Sequence, residues 1–286
     1  MGNILKNFVP EIWSGMVLGR LNDLLVYGNV CTKEYEGEIR DFGDVVKINE
    51  IGTIAVNSYT NTSTGVLTIQ QLNSAQKELR IDRGKYYAFW LDDAEHAQAK
   101  PKLLQTALDQ AAWSLANEVD EYIASLHSQA GVAIGGNTTN GVDVTSTNVL
   151  KYLSLAQQKL DEANTPQPRW IVVPPWFYQK MVLAKITLDT ANSATLGAGY
   201  MGRTFYGFDV YVSNNVVYQS GTERAGILCG YGGSIALAKQ LTGTYIEPSG
   251  TVGFKKLCKG LLLYGAKVLR ANNLGVLYAD YTAEAS

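Results

Sequence analysis

A chain of 286 residues with 46% hydrophobic residues can bury a sizeable core and is too apolar for a disordered polymer. Charged residues make up only 17%, against about 25% in an average soluble domain, while Gly reaches 28 and Tyr 17. Lys plus Arg number 24 and Asp plus Glu 26, so a formal net charge of -2 excludes a strongly basic nucleic-acid binder and an acidic solvating tail.

The N-terminal stretch MGNILKNFVPEIW lacks an apolar signal core, and Lys6 stands where a myristoylation motif needs Ser or Thr, so the mature chain is expected to begin here. Val9, Ile12, Val17, Leu18, Leu21, Leu24 and Leu25 follow Pro10 and predict a short amphipathic helix from Pro10 to Leu25 in an N-terminal arm. Asp44 to Ile51 and Lys77 to Leu91 read as strands. Between them, Ile51 to Gln76 is a run of 26 residues with no charge, rich in Thr and Asn and carrying Ile54, Val56, Tyr59, Val66, Leu67 and Ile69. Exposed strands normally carry charges that prevent pairing, so this composition predicts a projecting β-loop covered by a neighbouring subunit, with a hairpin folded on its own domain as the alternative.

Leu104, Leu108, Ala111, Leu115, Val119, Tyr122 and Leu126 recur at helical spacing between Pro101 and Gly131 and predict a long backbone helix, on the order of 40 Å. Gly131 to Asn148 reads as a glycine- and threonine-rich loop, and Val149, Leu153, Ala156 and Leu160 as a second helix. Trp170 to Val173 is a buried strand, after which Pro174 and Pro175 open a third helix to about Lys185. Thr187 to Gly202 is a polar loop with Asp189 as its only charge. Phe208 to Ser213, Ala225 to Cys229 and Ile235 to Lys239 read as strands, and Leu261 to Asp280 as two strands joined at Ala271 to Asn273. Helices and strands mix without regular alternation, so the fold class is α+β.

Motifs that would carry chemistry fail on context. Gly197 to Thr204, GAGYMGRT, has dinucleotide-binding glycine spacing, with Arg203 where a phosphate loop needs lysine. Such loops need a strand before and a helix after, whereas here a polar loop precedes and the strand FDVYV follows, so Gly202 is read as a turn residue. His96 and His127 sit in no ligand motif, and Asp92, Asp93 and Glu95 are read as helix-start electrostatics. Cys31, Cys229 and Cys258 are odd in number and widely separated, which predicts buried free thiols. Asn61 and Asn137 fit glycosylation spacing without a secretory signal. No nucleophile elbow occurs, and no longest apolar run approaches the roughly 20 residues of a membrane span. No catalytic, cofactor or metal site is assigned.

The order of parts, and the segments Val9 to Gly15, Gly43 to Ile48, Lys85 to Gln98, Arg169 to Tyr178, Gly202 to Asn215, Ala236 to Gln240 and Tyr264 to Leu269, resembles the major capsid protein of tailed bacteriophages, whose fold is shared with encapsulins and herpesvirus shell floors. The resemblance covers roughly Phe8 to Asp280. It implies an N-terminal arm (1–39), an extended loop (40–84), a peripheral domain with the backbone helix (85–143), an axial domain (144–243) and a return to the peripheral domain (244–286). It further implies self-assembly as pentamers and hexamers into an icosahedral head enclosing double-stranded DNA without sequence-specific binding. The other implied partners are portal, scaffolding and decoration proteins, and the implied site is the virion, assembled in host cytoplasm. Candidate inter-subunit contacts are Ile12, Trp13 and Val17 in the arm, Tyr59, Leu67 and Ile69 in the extended loop, and Leu196 and Tyr200 in the axial loop. Some relatives weld shells through a lysine in the extended loop, and Ile51 to Gln76 contains none. An encapsulin-like nanocompartment shell, a nucleotide-binding enzyme using Gly197 to Thr204 and a tail or adhesion protein are the competing readings.

Overall fold

The computed structural model describes residues 5–35, 44–51, 74–92, 102–188, 204–219, 223–248 and 255–283. The chain starts with helix α1 (Leu5–Leu24), one turn longer at its N-terminus than its apolar spacing predicts, followed by the short α2 (Tyr27–Val30). Strands β1 (Val45–Ile51) and β2 (Ser74–Arg80) form an antiparallel ribbon, with Val45 opposite Arg80 and Ile51 opposite Ser74. The strand expected from Lys77 to Leu91 is two, because the chain breaks at Ile81 and Asp82 before β3 (Arg83–Asp92). Leu79 and Ile81 are fully buried with Val46, Ile48, Ala236, Ala238 and Leu263, so this break pins the ribbon's root to the body.

The long helix α3 (Lys102–Ser125) continues into a 3-10 turn, Leu126–Gln129. Its buried stripe runs through Leu108, Ala112, Leu115, Ala116, Val119 and Ile123. That stripe is rotated from the expected one, since Ala111 and Tyr122 are only half-buried while the small Ala112 and Ala116 let neighbouring elements approach closely. The Gly- and Thr-rich stretch is not simply a loop. It holds β4 (Val132–Gly135) and β5 (Val142–Val144), which both pair in parallel with the C-terminal strand.

Helix α4 (Val149–Glu162) buries Val149, Leu153, Ala156 and Leu160, the predicted face. Strand β6 (Arg169–Val173) is buried at every position, as the apolar run Trp170–Val173 between two neighbours requires. Helix α5 (Pro175–Leu188) follows, then β7 (Thr204–Phe205) and β8 (Phe208–Val212) joined by a tight turn. Tyr206 (φ 50) and Gly207 (φ 74) both take the left-handed conformation at its centre. The turn expected at Gly202 lies outside the described residues, and the β7–β8 hairpin itself turns at Tyr206–Gly207, as a two-residue connection demands.

The remaining strands are β9 (Ala225–Tyr231), β10 (Ile235–Pro248), β11 (Lys255–Val268) and β12 (Leu274–Tyr281). One sheet orders β4, β12, β9, β6, β8 and β7, with β5 also on β12. A second orders β10, β11 and β3, all antiparallel. The two closing strands thus part company at the 3-10 turn Ala271–Asn273: β11 serves the small sheet and β12 the large one. The main core joins both, from Leu21, Leu25 and Tyr27 through α3 to β6, β9 and β12. A smaller cluster seats Val17 of α1 and Leu108 and Ala112 of α3 on Cys258 of β11, with Tyr87 and Phe89 of β3 beside them. Mixed helices and sheets in this order make an α+β fold.

Candidate assembly surfaces

The small sheet has two unlike faces because side chains alternate along its strands. Tyr87 and Phe89 point to α1 and α3, and Gly260 lacks a side chain where the Tyr87 ring lies, since a Cβ there would meet that ring at 2.6 Å. The alternate positions face outward. Tyr86 is 78% exposed, Trp90 55%, Tyr245 49% and Leu261 37%. In register, Tyr86 stands opposite Leu261, Trp90 opposite Leu257, and Tyr245 opposite Lys259. Among the described residues β3 pairs on one side only, so this face ends at an open edge.

The arm is fixed to the body by polar contacts that the apolar pattern does not reveal. Asp120 lies on the buried side of α3 at 1% exposure and accepts backbone hydrogen bonds from Val26 N (2.8 Å) and Gly28 N (3.1 Å). Burial pushes its carboxyl up to about 6, opposed by the backbone donors of Val26, Gly28 and Tyr27 and by Lys239. Lys239 in turn donates to Asn22 Oδ1 of α1. One signal was available in the sequence: an acid four residues after Ala116, in the middle of an apolar stripe.

On the large sheet, the buried Arg224 guanidinium holds Asp280 through Nε (2.9 Å) and Nη2 (3.0 Å) and donates to Thr138 O (2.8 Å), tying the β4–β5 connection to β12. Lys180 of α5 donates to Val144 O and Thr282 O and lies over the rings of Trp176 and Tyr281, which seats the end of β12. An open cleft of about 410 Å³ lies between Asn29–Thr32, Arg169, Tyr211 and Tyr231, where Arg169 is already engaged by Asp161 at 2.6 Å.

Of the candidate contacts, Val17 is buried within its own subunit, against Leu108, Ala112 and Cys258. Ile12 and Trp13 lie on α1, with side chains outside the described ones. Tyr59, Leu67, Ile69, Leu196 and Tyr200 fall outside the described residues, as do Asn61, His96, Asp93, Glu95 and all of Gly197 to Thr204 except Thr204, which opens β7. Asp92 ends β3 opposite Lys255. His127 is a core histidine: Nδ1 meets Ala124 O at 3.1 Å, Nε2 meets Gln219 at 3.0 Å, and the ring packs edge-on against Tyr278. Asn137 caps its own loop, accepting from Thr139 N and Asn140 N. Cys31, Cys229 and Cys258 are free and buried, as their spacing predicts, and burial raises all three thiols, Cys258 to about 11 and Cys229 to about 12. Among the described residues, no three His, Cys, Asp or Glu side chains come together as a metal site, and no helix is long and apolar enough to cross a membrane.

The whole fold has solved counterparts. A structure from Mycobacterium phage Che8 is 23% identical, with a TM-score of 0.70 over 88% of this chain and 90% of that one. The capsid structure of the Cyanophage P-SCSP1u is 15% identical, with a TM-score of 0.69 over 90% and 89%. A virus-like particle from Pyrococcus furiosus is 11% identical, with a TM-score of 0.56 over 94% and 99%. No curated protein matches the chain. A family model described as phage capsid protein matches residues 76–253, more than half of the sequence and a span that includes β3, α3 and the strands β4 to β10. The chain belongs to the phage capsid protein family.

Proposed function

We propose that this chain is the major capsid protein of a tailed bacteriophage, a structural subunit that assembles as pentamers and hexamers into an icosahedral head around double-stranded DNA. The observation that carries the reading is the family match over residues 76–253, and the shared fold over about nine-tenths of the chain supports it. In this reading residues 1–39 are the arm, 40–84 the extended loop, 85–143 and 244–286 the peripheral domain, and 144–243 the axial domain. Ile12 and Trp13, Tyr59, Leu67 and Ile69, and Leu196 and Tyr200 are then contacts between copies. A shell subunit buries much of its surface against several neighbours, which favours few charges and many Tyr, Gly, Asn and Thr. A net charge of -2 suits a wall that encloses DNA without gripping its sequence. Portal, scaffolding and decoration proteins are the further partners, and the site of action is the virion, assembled in host cytoplasm.

A second reading, a nanocompartment shell around protein cargo, is favoured by the match to the virus-like particle from Pyrococcus furiosus. Particle contents separate the two. Nuclease-protected double-stranded DNA co-sedimenting with particles from producing cells is expected for the head. A stoichiometric protein cargo without DNA would replace that reading with the second, and a chain that never sediments as particles would overturn both.

A further inference from the structure

We propose that Asn140, in the β4–β5 connection, is a site of self-modification at which the chain converts its own asparagine to aspartate and isoaspartate, with water as the co-reactant. Asn140 is the one asparagine in the sequence followed by Gly, whereas every other has a successor whose Cβ crowds the backbone nitrogen. The fold leaves this pair open. Asn140 is exposed, and among the described residues its carboxamide has no hydrogen-bond partner. Other asparagines are held: Asn137 Oδ1 accepts from Thr139 N and Asn140 N, and Asn148 accepts from Thr145 N while donating to Asp143 O. The glycine is built into the structure as well. A Cβ on Gly141 would meet the Asp280 carboxyl carbon at 2.5 Å, and Arg224 holds that carboxylate in place through Nε and Nη2. The contact that ties this connection to β12 therefore keeps the residue after Asn140 without a side chain.

In the reaction the Gly141 backbone nitrogen attacks Cγ of Asn140. A new C–N bond closes a succinimide ring, the carboxamide C–N bond breaks, and the proton from the backbone nitrogen leaves with the carboxamide nitrogen as ammonia. Water then adds to one of the two ring carbonyls. Opening on one side gives aspartate, and opening on the other gives isoaspartate, in which the main chain runs through the former side-chain carbon. Either product adds one negative charge beside the Asp280–Arg224 pair, where it meets a carboxylate already in place. The iso form also lengthens the main chain at the residue whose C=O accepts from Asn137 N at 2.7 Å, so the loop loses its closing bond. β5 begins just beyond, at Val142, and its pairing with Ala279–Tyr281 of β12 loosens in consequence.

The test ages the unaltered, folded chain in mildly alkaline buffer and reads it by peptide mass spectrometry. Conversion at Asn140 should run at least tenfold ahead of conversion at Asn137 or Asn148, with isoaspartate the larger product and the intact chain shifted to a more acidic charge. Retention of Asn140, or conversion no faster than at those two, overturns the proposal. Hydrogen exchange reads the structural consequence: amides of Val142–Val144 and Ala279–Tyr281 should exchange at least threefold faster in the aged chain. Asn140→Gln, whose extra methylene slows ring closure, should age without that change. Equal loosening in the variant, or unchanged exchange in a parent chain that has converted, overturns the link from the modification to β5.

Discussion

Asp120 is a carboxylate taken out of water to hold the backbone of Val26 and Gly28, and its energetics have a definite sign. Its carboxyl rises from the ordinary 3.8 to about 6, chiefly through desolvation, so the folded chain takes up a proton between those pH values that the unfolded chain does not hold. The stability this proton provides is complete below pH 3.8 and is lost as the pH rises through about 6, a difference of about 3 kcal/mol. Asp120→Asn should abolish that slope in urea unfolding of the subunit between pH 4 and 7, and parallel stability curves for parent and variant would contradict it. A second residue effect needs no contact at all. A Cβ at Gly207 would meet Gln157 only at an ordinary 3.6 Å, so the cost of Gly207→Ala comes from φ 74 and amounts to about 1 kcal/mol. Tyr206→Asn, which tolerates the left-handed region better, should raise the melting temperature where Gly207→Ala lowers it.

At the scale of elements, the β1–β2 ribbon is held at its root. Leu79 is fully buried among Val46, Ile48, Ile81 and Leu263, so Leu79→Ala should cost the subunit about 3 kcal/mol in denaturant unfolding. A loss below 1 kcal/mol would mean that the root is not part of the core. Long periodic segments were legible in the sequence for this same reason: α4 and β6 bury the residues their spacing selects, because burial created the pattern. Short or non-local pairings were not. β4 and β5 have only four and three residues and owe their strand conformation to β12, more than 130 positions away. The parting of β11 and β12 into different sheets is likewise a choice made by partners that local sequence does not name. The Arg224–Asp280 pair was invisible because an acid or a base reads as surface until its burial is known, and the Asp120 clasp showed only as an acid set in an apolar stripe. The outward Tyr86 and Trp90 were read as one strand's apolar content, since KYYAFWL does not say which of its faces lacks a partner.

For the whole molecule, the arm and the extended loop are expected to stabilise the shell more than the subunit. A two-stranded ribbon is marginal by itself, and an uncharged 26-residue run is ill suited to lasting exposure. Tyr59→Asp with Leu67→Asp and Ile69→Asp should therefore leave near-native circular dichroism and remove stable particles. Insolubility of that variant would instead reveal a role in the subunit core. Deletion of residues 1–15 stops short of Val17 and Leu21, which belong to the subunit's own clusters, and should act the same way. The account stands most directly on single-particle electron microscopy of the unaltered chain, expressed with its neighbouring genes. It predicts closed particles of icosahedral symmetry built from pentamers and hexamers, and it is contradicted by a preparation holding only monomers, dimers or open tubes.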